Sequence, residues 1–289
     1  MPTTQATKNL RRHLLIIDPQ NDFCDLPESD CPVAGGIALR PSLPVAGAHG
    51  DMQRLATLID DCSERLDAIS VTLDAHQHLD IAHPTFWCDA AGAAVAPFTM
   101  ISLADLQAGR YRPLDAQAFE RVAAYLTALE ATGRYTHMVW PVHCEIGTWG
   151  QAIHATLQRA LNRWEEASLC NVAKIAKGQN PWTEHYSAMM AEVPDPADAA
   201  TQLNSALLHS LQSAERIYIA GEAGSHCVKA TTEHIVAHWP PHALSKLALI
   251  RDCISPVSGF EAQYAAFITA MHERGVSILS ADDVRAELA

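Results

Sequence analysis

Short apolar runs recur along the chain and alternate with segments of helical periodicity. Within the runs the apolar residues are continuous, which is typical of parallel strands that are buried on both faces. Glycine, proline and acidic residues bound most of them and indicate where each strand ends. The runs predict strands at residues 13–17, 68–73, 135–140, 171–176, 217–220, 247–250 and 276–279.

The segments between these runs predict helices, because their apolar residues recur at a spacing of three and four. Strands that alternate with helices at this spacing predict an α/β fold: a doubly wound, mainly parallel, six-stranded Rossmann-like sheet with helices on both faces. We expect a single domain over residues 1–289, with an insertion at about 88–133. The helices are predicted at residues 51–66, 115–131, 150–167, 199–213, 225–238 and 259–274.

Composition excludes several classes of partner. Of the 289 residues, 48% are hydrophobic and 18% are charged, as in folded globular proteins. The net charge of −13 argues against nucleic acid and anionic membrane surfaces, which need basic patches. No apolar run approaches the ~20 residues of a membrane-spanning helix. We therefore expect a small-molecule partner, and a homo-oligomer in solution.

The N-terminal segment and the cysteines indicate the compartment. The first 18 residues contain a basic pair and only a short apolar run, without the apolar core of a signal peptide, so we expect a cytoplasmic protein. Eight cysteines are scattered without CxxC pairs, and a chain of this length needs no disulfide framework. They are predicted to be reduced thiols.

Residues whose side chains suit catalysis or metal binding follow the ends of the predicted strands. They are Asp18, Asp74, His143, Lys177 and Cys227. In an open α/β sheet the binding site lies beyond the carboxyl ends of the strands, so these side chains should lie close together. An acid, a lysine and a cysteine can act as proton carrier, cation and nucleophile. Taken singly, such an acid often caps a helix, and such a lysine is often solvated.

Cys227 stands in the stretch ERIYIAGEAGSHCVKATTEH, where a strand ends and a helix begins. A helix N-terminus favours thiolate over thiol, and a nearby lysine does the same. The backbone N–H groups of such a turn can also bind the oxyanion of an acyl-transfer intermediate. The alternative is an inert buried thiol, which is the usual state of a free cysteine. Cys144, which directly follows His143, fits that alternative better.

A histidine-rich loop, LDAHQHLDIAHPTFW, predicts a metal site. Asp74 and His76 project to the same side of an extended segment, and His83 and His143 can join them. A carboxylate with imidazoles suits one divalent ion, zinc in the first place, with iron or manganese as alternatives. His78 and Asp80 are weaker candidates from the same loop.

Five motifs together resemble the isochorismatase-like cysteine hydrolases, and within them the nicotinamidase/pyrazinamidase enzymes. The resemblance runs over nearly the whole chain, with the motifs in the order of that family. They are IIDPQNDFC with Asp18, the loop with Asp74 and His76, WPVHCEIGTWG, AKGQNPWTEHYSA with Lys177, and GEAGSHCV with Cys227.

The resemblance implies an amidase. Asp18, Lys177 and Cys227 would form a triad that hydrolyses an amide through a thioester and releases ammonia. The backbone N–H groups of Ala223 and Cys227 would form the oxyanion hole, with a cis peptide bond between Glu222 and Ala223.

The resemblance also implies how a substrate would bind. The metal on Asp74, His76 and His143 would contact a pyridine nitrogen of the substrate. His83 transfers less directly, because the loop spacing differs. Aromatic side chains would form the walls of the pyridine pocket, although ordinary core packing is the alternative for each of them. These side chains are Phe23, Trp140 and Tyr186.

Two departures from the family pattern leave the substrate open. The chain is longer than a typical nicotinamidase, mainly after Trp87, and Ser225 replaces a common aspartate while the turn carries Glu222. We expect deamidation of nicotinamide or a closely related heteroaromatic amide. The alternatives are another small amide, as in N-carbamoylsarcosine or maleamate amidohydrolases, and a catalytically inactive binding homologue. An isochorismatase is disfavoured, because that reaction has no need of the cysteine.

Overall fold

Twelve strands and eight helices occur in residues 12–289, the part of the chain that the computed structural model describes. The strands are β1 (Arg12–Ile17), β2 (Val33–Ala34), β3 (Ile37–Ala38), β4 (Ala68–Asp74), β5 (Trp87–Asp89), β6 (Thr99–Ile101), β7 (Tyr111–Pro113), β8 (His137–Val139), β9 (Ala173–Lys177), β10 (Arg216–Gly221), β11 (Leu247–Ile250) and β12 (Ser277–Leu279). The helices are α1 (Ala48–Cys62), α2 (Leu103–Gln107), α3 (Phe119–Thr132), α4 (Ala155–Ser168), α5 (Ser205–Gln212), α6 (Cys227–Ala237), α7 (Glu261–Glu273) and α8 (Ala281–Leu288).

A six-stranded sheet forms the centre of the molecule. Its order is β12-β11-β10-β1-β4-β9, and every neighbouring pair is parallel. The side chains of residues 14–17 in β1 are all buried, and so are those of residues 247–250 in β11. Both runs are therefore apolar throughout instead of alternating. The predicted α/β fold with a mainly parallel six-stranded sheet is confirmed.

The order of the strands fixes where a site can form. From β1 the chain passes to β4 and β9 on one side of the sheet, and then returns to β10, β11 and β12 on the other side. The order therefore reverses between β1 and β10, which pair directly. Beyond the carboxyl ends of these two strands lies the crevice in which open α/β sheets bind their ligands.

Gly221 at the end of β10 allows the two central strands to approach closely. Its φ is +113°, and a Cβ placed on it would lie 2.0 Å from the carbonyl oxygen of Ile17 in β1. Only glycine combines this backbone conformation with this separation. The turn that leads from β10 to Cys227 therefore leaves the sheet directly beside the end of β1.

One predicted strand lies elsewhere. Residues 135–140 were expected in the parallel sheet, but β8 pairs antiparallel with β6 in a separate two-stranded ribbon. The apolar part of the run is buried as predicted: Val139 belongs to a second hydrophobic cluster with Trp87 and Leu126, and Met138 and Trp140 belong to the main core. Hydrophobicity gave the burial of this run correctly but not its partner strand. Helices α2 and α8 were not predicted.

The cysteines and the helices agree with two further expectations. All eight cysteines are free thiols. Within residues 12–289, every helix is too short or too polar to cross a membrane. The interpretation of the N-terminus rests largely on residues 1–11, which lie outside the described residues.

Candidate active site

Asp18 directly follows β1 and is completely buried. Its backbone has a φ of +44°, and its N–H donates to the carbonyl oxygen of Thr72 in the neighbouring strand at 3.1 Å. The hydroxyl of Thr72 donates to Asp18 Oδ1 at 2.6 Å. Burial raises the pKa of the Asp18 carboxyl, although Lys177 and the hydroxyl of Thr72 oppose the rise. A carboxyl held in one orientation with a raised pKa suits a proton carrier.

Lys177, the last residue of β9, lies between the buried charged groups of the site. Its Nζ lies 2.9 Å from Asp18 Oδ2, 3.0 Å from Asp74 Oδ1 and 3.7 Å from Cys227 Sγ, and it donates to the carbonyl oxygen of His185 at 3.0 Å. Burial disfavours the ammonium, but Asp18 and Asp74 outweigh it and hold the pKa of Lys177 well above its usual value. The lysine is therefore a fixed cation between two carboxylates and the thiol.

Cys227 is the first residue of α6, the helix that follows β10. Its N–H therefore has no partner within the helix, since the first turn leaves its amides free. The ligand-type atoms of Asp18, Asp74 and Cys227 all lie within 4.8 Å of one another. The structure thus brings together Asp18, Lys177 and Cys227, as the strand ends predict.

The surroundings of Cys227 shift the pKa of its thiol in opposite directions. Burial raises the pKa of the thiol well above its usual value; Lys177 lowers it, while the charge of Asp18 raises it further. The helix terminus and the lysine therefore do not suffice to ionise the thiol in the closed cavity. A base must take its proton before it can act as a nucleophile.

The turn before Cys227 shapes a possible oxyanion site. The peptide bond between Glu222 and Ala223 is cis, as the resemblance implies. Two neighbouring amides are already engaged: Gly224 N–H donates to the carbonyl oxygen of Ser255, and Val228 N–H donates to that of Ala223. Ala223 itself lines the cavity beside Cys227.

Three imidazoles converge beside the triad. The ligand-type nitrogens of His76, His83 and His143 lie within 4.8 Å of one another, and all three side chains are buried. Asp74 Oδ2 lies 3.2 Å from His76 Nε2 and 3.6 Å from His143 Nε2. The three histidines of the predicted metal site therefore converge, including His83, and Asp74 lies beside two of them.

This cluster fits a divalent metal ion. His76 Nδ1 lies 3.1 Å from Asp80 Oδ2, and His143 Nδ1 lies 2.8 Å from the carbonyl oxygen of Pro141, so each ring can donate from Nδ1 and turn Nε2 toward Asp74. Such outer partners orient histidine ligands in metal sites. Burial and neighbouring imidazoles lower the pKa of His83 to about 2, which keeps it neutral and able to ligate. One carboxylate and three imidazoles suit zinc, iron or manganese.

Cys227 lines a narrow cavity together with Asp74 and with His143, one member of the histidine cluster. Phe23, Trp140 and Tyr186 all line it, and Trp140 Nε1 donates to the hydroxyl of Tyr186 at 3.0 Å. The three aromatic residues proposed for a substrate pocket therefore lie on one cavity. From the inserted segment, Phe98 packs edge-on against Trp140, with the ring centroids 5.9 Å apart.

Several residues around the site were missed by the sequence analysis. His226 lines the cavity, and its position directly before Cys227 could have suggested it. The hydroxyl of Thr72 orients the Asp18 carboxylate, and Gln20 fixes the backbone of Asp74. The Gln20 side chain forms hydrogen bonds with the backbone N–H and carbonyl of Asp74, each at 2.7 Å. Burial decides these roles, and no local sequence pattern marks them. The other unpredicted residues that line the cavity are Leu43, Glu184 and Val257.

Comparisons with protein-family models and with curated proteins give no match. Solved structures do match. A nicotinamidase/pyrazinamidase of Acinetobacter baumanii superposes with a TM-score of 0.58 at 18% identity, over 96% of this chain and 100% of that chain. The yeast nicotinamidase bound to the inhibitor nicotinaldehyde gives a TM-score of 0.60 at 17% identity, over 93% of this chain and 99% of that chain.

A third match is a pyrazinamidase of Pyrococcus horikoshii in complex with zinc. Its TM-score is 0.53 at 18% identity, over 93% of this chain and 99% of that chain. An isochorismatase-like hydrolase of Alkaliphilus metalliredigens shares the same architecture at 12% identity. At identities this low, the superpositions establish the fold alone, and the reaction has to be argued from the site. The chain has the fold of nicotinamidases, pyrazinamidases and isochorismatase-like hydrolases, which confirms the resemblance drawn from its motifs.

Proposed function

We propose that the protein is a cysteine amidohydrolase that converts nicotinamide, or a closely related heteroaromatic amide, to the carboxylic acid and ammonia. One observation carries the proposal. At the end of an aromatic cavity, Lys177 Nζ lies 2.9 Å from a buried carboxylate, Asp18, and 3.7 Å from a buried thiol, Cys227. A base, a cation and a nucleophile in contact are the groups that acyl transfer through a thioester requires.

In the first half of the reaction, Asp18 takes the proton of Cys227, and the thiolate attacks the carbonyl carbon of the amide. The N–H groups of Ala223 and Cys227 would stabilise the oxyanion of the tetrahedral intermediate. Asp18 then delivers its proton to the amide nitrogen, the C–N bond breaks, and ammonia leaves. The acyl group remains on Cys227 as a thioester.

In the second half, Asp18 takes a proton from water as the oxygen attacks the thioester carbonyl. The C–S bond breaks, the acid is released, and Asp18 returns the proton to the sulfur. Lys177 favours the ionised form of Asp18 before each of the two steps in which Asp18 takes a proton, and it partly balances the charge of the thiolate. Its 3.0 Å contact with Asp74 also connects the triad to the histidine cluster.

Asp74, His76, His83 and His143 would hold one divalent metal ion beside the cavity, which Asp74 and His143 line. A metal ion there would accept the lone pair of a ring nitrogen and so orient a heteroaromatic substrate. The nicotinamidase and pyrazinamidase structures that share this fold, one of them in complex with zinc, support this assignment. Phe23, Trp140 and Tyr186 would enclose the ring.

Ammonia release from nicotinamide by the purified, metal-loaded protein tests the proposal. We expect release at a rate typical of enzymes, with nicotinate as the second product in equal amount. Absence of release from nicotinamide and pyrazinamide, by protein whose Cys227 still reacts with a thiol reagent, would reject the heteroaromatic substrate. Activity on N-carbamoylsarcosine or maleamate under the same conditions would then favour the alternative amidases.

Replacing a proposed metal ligand tests the histidine cluster. We expect His76→Ala to reduce metal affinity by about 100-fold or more, because it removes an inner ligand where loss of an outer partner alone costs about 10- to 100-fold. The KM for nicotinamide should rise with the loss of metal. Elemental analysis after dialysis against a weak chelator measures the metal, and initial rates measure the KM.

His78→Ala is the matched control for that experiment. His78 lies in the same loop, but its side chain is 64% exposed and pairs with Glu145 instead of facing the cluster. Its replacement should leave metal content and KM unchanged. Equal metal content in the His76→Ala and His78→Ala proteins would contradict the assignment.

A further inference from the structure

Glu184 is a buried carboxyl group that the proposed reaction does not use. It lines the cavity that contains Cys227, and only 4% of its surface is exposed. Its Oε1 accepts a hydrogen bond from the N–H of His185 at 3.0 Å. Its Oε2 is buried, and no donor among residues 12–289 reaches it.

An unpartnered carboxyl oxygen is costly in this environment. Much of the cavity wall around it is apolar, from Phe23, Leu43, Trp140 and Val257. A buried polar group without a partner destabilises the folded protein, and more so when it is charged. A ligand that brings a hydrogen-bond donor to Glu184 removes this cost, whereas a ligand with only carbon at that point retains it.

The position of Glu184 indicates which part of a ligand it meets. It shares the cavity with Asp74 and His143, two of the proposed metal ligands, but it is not one of the three converging residues of the histidine cluster. In the orientation proposed above, the scissile amide lies at Cys227 and the ring nitrogen at the cluster. A ring bound in this orientation would bring its nitrogen, and the substituents beside that nitrogen, to the part of the cavity that Glu184 lines together with Asp74 and His143.

We propose that Glu184 is a substrate-binding residue that selects heteroaromatic amides with a hydrogen-bond donor, such as an amino group, beside the ring nitrogen. This inference rests on the proposed function for the orientation of the ring. Within that function it defines the substrate class more narrowly than nicotinamide itself. The donor on the ring would supply the bond that Glu184 Oε2 lacks in the protein alone.

Binding to the Cys227→Ala protein, which has no nucleophile, tests the inference separately from turnover. Calorimetry on the metal-loaded protein would compare 6-aminonicotinamide with 6-methylnicotinamide. The two substituents are similar in size, but only the amino group donates hydrogen bonds. We expect the amino compound to bind about tenfold more tightly, the value of one buried hydrogen bond.

Second substitutions at Glu184 in the same protein assign this preference. Glu184→Met keeps a side chain of similar length without a hydrogen-bond acceptor, so the amino and methyl compounds should bind about equally. Glu184→Gln retains a neutral acceptor and should reduce the preference only in part, and it serves as well if the methionine variant does not fold. Glu192→Gln is the matched control, because Glu192 is equally buried but pairs with Arg134 outside the cavity lining. It should leave the preference unchanged.

Metal content and turnover separate the possible outcomes. Equal binding of the two compounds to the parent protein, or an amino preference that survives Glu184→Met, overturns the inference. Loss of metal from the Glu184 variants, with the preference restored by added zinc, also overturns it and makes Glu184 a positioning residue for the metal ligands. If wild-type protein releases no ammonia from any of these amides, but the binding preference follows Glu184, the proposed function fails and the binding role stands.

Discussion

Replacing Cys227 by alanine should abolish ammonia release, with a loss of about 10⁴-fold or more in kcat. In the proposed reaction the thiol forms the bond to the substrate, and neither Asp18 nor Lys177 offers a substitute nucleophile in the same position. The protein should remain folded, since the change removes one sulfur atom at the cavity wall. Initial rates and thermal unfolding, measured on the same preparation, check both expectations.

Cys253→Ala is the matched control, because Cys253 is also a buried free thiol but does not line the cavity. It should retain nearly full activity. Mass spectrometry after treatment with a thiol reagent adds a second measurement, in which substrate should protect Cys227 from modification. Substantial residual turnover by the Cys227→Ala protein would remove Cys227 from the role of nucleophile.

Much of this site could be predicted because parallel strands impose geometry on sequence. Asp18, Lys177 and Cys227 are far apart in the chain, but each stands at or just beyond the carboxyl end of a strand. Once the apolar runs are interpreted as neighbouring strands of one sheet, their ends must meet at one edge. The histidine cluster follows from the same geometry, because Asp74 also ends a strand of the sheet.

What the sequence did not reveal depends on partners that are distant in the chain. The run at residues 135–140 is apolar whether its strand joins the central sheet or pairs with β6 of the inserted segment, so hydrophobicity alone does not distinguish the two. The position of Glu184 could not be predicted from the sequence either. A glutamate is usually exposed, and only the folded structure shows that this one lines a cavity and that no donor among residues 12–289 reaches its Oε2.

The sequence alone did not determine the pKa of Cys227. A helix N-terminus and a lysine favour the thiolate, but the cavity buries the sulfur, and burial dominates. In the proposed mechanism, the cysteine therefore depends on Asp18 for deprotonation. This dependence makes the carboxylate, and not only the thiol, a target for substitution.

Asp18→Asn should therefore lower kcat by about 10²- to 10⁴-fold, the usual contribution of a general base and acid. Asparagine has nearly the same shape and can still accept the hydrogen bond from the hydroxyl of Thr72, so the geometry around it should persist. It takes no proton from the thiol and delivers none to the leaving nitrogen. Both halves of the reaction should slow, while the KM for nicotinamide changes little.

Asp25→Asn is the control, because Asp25 is an exposed aspartate that accepts from the backbone N–H groups of Gly47 and His49. Its activity should stay within about twofold of wild type, as expected for a surface substitution. Lys177 retains Asp74 as a partner at 3.0 Å in the Asp18→Asn protein, so its ammonium keeps a buried counterion and the fold should be preserved. A folded Asp18→Asn protein with less than a tenfold loss of kcat would contradict proton transfer by Asp18. The thiol would then need another base, and His226, directly before Cys227 and lining the same cavity, would be the next residue to replace.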